Sequence, residues 1–167
     1  MKKNLPALII FGIAFGFVEA VVVYYLRNLF NYGSNYPLEG AKILLNLGFM
    51  QFVFTKTQLL HSNQVTAAEI VREASTIAML VSVAFLSAKN LKQWIGAFLI
   101  AFSTWDIFYY IFLRFLTGWP TSLFNTDVYF LVPVSSIGPI LTPIIIFIVL
   151  FWVGLKLYSG KAGLIRI

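Results

Sequence analysis

An aspartate, two tyrosines and an arginine recur at helical spacing within residues 104–114, TWDIFYYIFLR. Asp106 and Tyr110 are four apart, Tyr110 and Arg114 are four apart, and Tyr109 flanks that stripe. A carboxylate, a phenol and a guanidinium on one helix face can exchange a proton, hold a hard cation, or grip a phosphate or carboxylate group. The stretch lies late in an apolar run over residues 91–116 that is long enough to cross a bilayer. Asp106 would then sit roughly 22 Å above the start of the run, past the middle of a ~30 Å hydrocarbon slab. A charge at that depth costs about 2.5–3.5 kcal/mol on the insertion scale, so Asp106 is expected to face a partner or water rather than lipid.

The rest of the chain must supply that setting. It has 167 residues, 60% of them hydrophobic and 11% charged, with a mean hydropathy of +0.88. This composition lies outside the soluble globular range and predicts an all-α, polytopic membrane helix bundle. We expect one integral domain over residues 1–167, with four spans at about 5–30, 66–88, 91–116 and 140–158. There is no cysteine, which excludes disulfides, thiolate nucleophiles, Fe–S clusters and cysteine-based zinc sites. His61 is the only histidine, so a multi-histidine metal site and a bis-histidine haem are excluded too. A net charge of +6 fits basic residues flanking membrane spans. No basic stretch is interleaved with exposed aromatics, so the expected partner is the lipid bilayer and not nucleic acid. Lys2 and Lys3 ahead of an apolar run look like a signal peptide, but the run is too long and no cleavage site follows.

The first span carries Gly12, Gly16 and Ala20 at intervals of four, a ridge that lets another helix approach closely. Packing inside the bundle is the favoured use of this ridge, ahead of homodimerisation. Glu19 lies beside the ridge, and Arg27 is two turns on, roughly 80° around the helix, so a direct pair is not assured. Residues 31–40 read as a turn-rich loop. Residues 41–60 are apolar but interrupted by Asn46, Gln51 and Lys56, and are expected to form an interfacial or re-entrant helix on the outer side. In the second span, Thr66 with Glu69 has the form of a capping box. Arg72 and Glu73 lie deeper, where an ion pair or a ligand must account for them. Residues 117–139 are too broken by proline and polar side chains to cross, and Asp127 sits among them. Pro143 is tolerable in the first turn of the last span.

With four spans, Lys2, Lys3, Lys89, Lys92, Lys156, Lys161 and Arg166 collect on one side with no acid among them. The positive-inside rule makes that side cytoplasmic, placing both termini inside a cell (inner) membrane. Glu19, Glu73 and Asp106 then converge in the outer half from three helices, with Arg27, Arg72 and Arg114 near that level and Asp127 able to lid them. The expected function is binding of a small polar, ionic or lipid-head-group ligand at this cluster. If a metal binds, Glu19, Glu73 and Asp106 are its candidate ligands. An accessory subunit of a larger membrane complex and a proton- or ion-coupled transporter acting as a homo-oligomer stand as alternatives. No G-x-S-x-G, H-E-x-x-H, phosphate-loop or dinucleotide motif is present, so the sequence names neither a reaction nor a cofactor.

FVEAVVVYYLR, REASTIAML, WDIFYYIFLR, GWPTSL with the later DVYFLVP, and IGPILTP together resemble a family of small, uncharacterised prokaryotic polytopic membrane proteins. The resemblance covers most of the chain outside residues 31–65. It implies the fold and the membrane location; no ligand, cofactor or catalytic residue comes with it.

Overall fold

The computed structural model describes residues 4–30, 42–54, 63–130 and 135–160. Among them, four helices are long and apolar enough to cross a membrane: α1 (Asn4–Phe30), α2 (Asn63–Ser87), α3 (Leu91–Thr117) and α4 (Leu141–Ser159). The expected spans match them closely except at the start of α2, which begins three residues early. Thr66 therefore lies inside the helix and is not its cap. Glu69 Oε2 accepts from Arg72 Nε at 2.7 Å.

Helix α3 is central, packed against α1, α4 and α2. Its start is fixed by Asn90, whose Oδ1 accepts from the Gln93 N–H at 3.0 Å. Gln93 Oε1 in turn accepts from the Lys89 N–H at 3.1 Å, a reciprocal arrangement of the capping-box kind. Gly118 ends the helix in the left-handed region at φ 73°, with its N–H on the Arg114 carbonyl. In α4, Pro143 falls in the first turn, as the sequence allowed.

Two glycine contacts set the helix spacing. A Cβ on Gly12 would lie 2.7 Å from Thr104 Cβ, and one on Gly16 would lie 2.8 Å from the Trp105 carbonyl. The small-residue ridge of α1 therefore rests on the backbone of α3, inside the bundle. A Cβ on Gly96 would come within 2.5 Å of the Tyr158 N, and one on Gly154 within 3.0 Å of the Gly96 carbonyl. Such bare backbone contacts bring the helices into close dispersion packing.

The all-α expectation is corrected at one end of the bundle. Strands β1 (Lys42–Asn46), β2 (Gln51–Phe54), β3 (Thr126–Phe130) and β4 (Ser135–Pro139) form an antiparallel sheet in the order β1-β2-β4-β3. Residues 42–54 are thus a hairpin and not the interfacial helix expected over 41–60. Its turn is local chemistry. Asn46 Oδ1 accepts from the Gly48 N–H at 2.9 Å, Gly48 takes φ 80°, and the Leu47 N–H bonds the Met50 carbonyl. The pairing is not local. Gln51 lies opposite Ile137 and Val53 opposite Ser135, so partners come from opposite ends of the sequence. Because β2 and β4 pair, the segments before α2 and before α4 lie at the same end of the bundle, as four crossings require. The expected loop over 31–40, with Lys56 and His61, lies outside the described residues.

Leucine in place of Gly12 should lower the melting temperature of detergent-solubilised protein by several degrees, from an overpacking penalty of about 1–3 kcal/mol. Leucine in place of the outward-facing Ala14 should leave it nearly unchanged. Intrinsic tryptophan fluorescence during heating measures both.

Candidate functional site

The polar cluster lies where α1, α2 and α3 approach the sheet, and the structure divides it into two halves. The first half is an ion triad. Arg72 on α2 donates through Nη1 to Glu19 Oε2 on α1 at 2.6 Å and through Nε to Glu69 Oε2 at 2.7 Å. One guanidinium fork thereby ties α1 to α2, two helices that otherwise touch little. Removing the arginine would leave two partly buried carboxylates facing each other, which is why such a group resists single substitution.

The second half is built on α3 and β3. Asp127, 2% exposed, reaches down from β3 and accepts from the Tyr110 hydroxyl at 3.1 Å. The Tyr109 ring meets Tyr110 edge-on at 4.8 Å. Arg27, from the last turn of α1, lays its guanidinium 4.1 Å above the Trp119 ring, a cation–π contact, and its charge acts on Asp127. Asp106 lies one turn before Tyr110, 8% exposed, and within electrostatic range of both Asp127 and Glu19. Its Oδ2 is buried with no hydrogen-bond partner. An unsatisfied buried carboxylate oxygen carries its full desolvation penalty.

Placement of the expected residues is therefore uneven. Glu19, Arg72, Asp106, Tyr110, Asp127 and Arg27 are drawn into the two halves, with Tyr109 packed beside them. Glu73 is buried on α2. Arg114 does not join: it is exposed, and its Nη1 donates to the Gly118 carbonyl at the end of α3. The helix turn that aligned it with Tyr110 carries it to the rim. Among the described residues, no three of histidine, aspartate and glutamate group so as to hold a metal ion, Glu19, Glu73 and Asp106 included. Trp119 joins this half through Arg27, and its place after the Gly118 turn carries no local sequence signal for that contact.

No protein-family model, curated protein or solved structure matches the chain.

Burial pushes the Asp127 carboxyl up to about 6, against the opposing pull of Arg27, the Tyr110 hydroxyl and the Val128 N–H. The unfolded chain ionises near the ordinary value of about 3.9. The folded protein holds this proton more tightly, so stability is full below about pH 4 and falls as pH rises through about 6. A two-unit difference corresponds to roughly 3 kcal/mol at most. Melting temperatures from pH 4.5 to 7.5 should therefore fall more steeply in the wild type than in Asp127→Asn. Parallel profiles for the two proteins would contradict this assignment.

Proposed function

We propose that the chain is a multi-pass integral protein of the cell (inner) membrane, with both termini cytoplasmic, whose Asp106–Asp127 half-site binds a small cationic ligand. The observation that carries this reading is the buried, unpartnered Oδ2 of Asp106 beside a second buried carboxylate. The charge balance supports it. Glu19, Glu69, Asp106 and Asp127 lie about two arginines of the cluster, and both arginines are already engaged. Arg72 is held by two carboxylates and Arg27 lies on Trp119 beside Asp127. An incoming phosphate or carboxylate would therefore meet excess negative charge, whereas a cation would relieve it. This narrows the sequence expectation from any small ionic or head-group ligand to a positively charged one. The chain already places one cation, Arg27, over an aromatic face next to Asp127, which is the chemistry that a ligand amine would use.

The Arg72 triad supports a second role within the same protein, that of a clip between α1 and α2. It accounts for Glu19 and Glu69 but not for Asp106, which belongs to no pair among the described residues.

Among the described residues, Lys89, Lys92 and Lys156 gather at the end away from the sheet, which supports this orientation. A cysteine placed at Ser122, in the exposed segment before β3, should react with a membrane-impermeant maleimide in intact cells. One placed at Lys89 should react only after the membrane is opened. The reverse pattern would invert the topology.

The binding reading is tested by heating purified protein at pH 8 with sodium, potassium, calcium, a primary alkylamine or tetramethylammonium. One of these should raise the wild-type melting temperature; ~100-fold excess over Kd is worth about 2.7 kcal/mol. Asp106→Asn should lose that response while melting at the same temperature as the unliganded wild type or higher. A destabilised Asp106→Asn protein, together with a wild type indifferent to every cation, would overturn the proposal in favour of a structural acid.

A further inference from the structure

The hairpin residues 42–49, KILLNLGF, do not follow the pattern of a strand with one wet face. Strand β1 is exposed along its whole length, and successive strand side chains point to opposite faces. Ile43, Leu44 and Leu45 are 51%, 53% and 50% exposed, so apolar side chains project from both faces. The tip continues with exposed Leu47 and Phe49, where a water-facing turn would carry polar residues. A contiguous apolar surface of this kind marks contact with a membrane or another protein.

The position of the tip selects the occupant. Thr142 Oγ1, in the first turn of α4, donates to the Phe49 carbonyl at 2.9 Å. The β2–β4 register places Gln51 opposite Ile137 and Val53 opposite Ser135, so the hairpin recedes from α4 along β2. The tip is therefore its nearest point to α4, and Lys42, paired with Phe54, is at the far end. Helix α4 itself turns Ile145, Ile148 and Val149 outward. The apolar band of a candidate span thus continues at its first turn into Leu47 and Phe49. The register irregularity between Ile43 and Leu45 also disfavours another chain pairing along β1, since a bulge blunts an edge strand.

We infer that the β1–β2 hairpin is a lipid-inserted wedge. Leu45, Leu47 and Phe49 enter the upper acyl chains of the leaflet at the sheet end of the bundle, and exposed Lys42 meets head-group phosphates. The edge of β1, unpaired among the described residues, stays in the head-group layer, where water and lipid ester oxygens satisfy its backbone, because an open edge is not tolerated in hydrocarbon. The inference rests on reading the four helices as membrane spans.

The chain has no cysteine, so Leu47→Cys, Phe49→Cys and Val149→Cys can each be labelled singly with an environment-sensitive fluorophore. Each protein is reconstituted into phosphatidylcholine–phosphatidylglycerol vesicles carrying nitroxide at acyl carbon 5 or 12, and separately exposed to aqueous iodide. The Leu47 and Phe49 labels should be quenched several-fold more by the carbon-5 lipid than by iodide, and the Val149 label most by the carbon-12 lipid. Quenching of Val149 by lipid with tip labels that answer only to iodide would overturn the wedge and leave the spans standing. Tip labels shielded from both quenchers, with Ile43→Cys forming a disulfide between copies, would assign the surface to a second copy instead. A Val149 label untouched by either lipid would overturn the membrane reading and the wedge with it.

Discussion

The bare backbone contact between α1 and α3 is the constraint on which the arrangement depends. Gly12 and Gly16 leave no room for side chains against Thr104 and Trp105, so the two helices meet in one register. They run parallel, since Gly12 meets residues near 101–104 and Gly16 meets residues near 105–109. Glu19, one turn beyond Gly16, therefore comes level with the Asp106–Tyr110 turn. Tight packing leaves few alternative rotations, so Asp106 is held where it is even though its Oδ2 gains no hydrogen bond there. A site that keeps an unsatisfied carboxylate is stabilised by its surroundings rather than by itself.

The two halves of the cluster answer different physical demands. Arg72 neutralises two carboxylates at the price of desolvating three charges, and what it returns is a fixed relation between α1 and α2. Asp127 bears on Asp106 as a like charge, while the Tyr110 hydroxyl and the Arg27 guanidinium act on Asp127. Like charges held close inside an apolar setting favour whatever brings a positive charge or a proton between them. The first half is a paired ion triad, and the second leaves one carboxylate oxygen without a hydrogen bond.

The sheet supplies what the helices alone cannot. Asp127 lies on β3, opposite Gly138 of β4, and β4 is braced by β2. The Tyr129 hydroxyl donates to the Pro139 carbonyl at 2.7 Å, and Thr142 ties the hairpin tip to α4. These bonds hold a carboxylate over the end of α3 with strand precision, where an open loop would let it turn to water. Backbone hydrogen bonding between neighbouring strands at this end of the bundle is thereby met within the sheet.

The sequence by itself determined the four helices, because an apolar run of twenty or more residues has only one way to satisfy its own backbone in hydrocarbon. It also marked the ridge of α1 and the rarity of its internal acids, since both signals are local in spacing. It did not determine the sheet. KILLN and QFVF are too short for their period to separate strand from helix. Asn46 with Gly48 two residues later was the one local sign of a hairpin, and its partner strand lies more than eighty residues away. Nor did it apportion the charges. Arg72 takes Glu19 from another helix, Arg27 takes Trp119, and Arg114 is left at the rim. Helical spacing fixes which residues share a face, but the neighbour that each face meets depends on how helices dock. Only the tertiary structure decided that Asp106 would be the acid buried without a hydrogen bond on one of its oxygens.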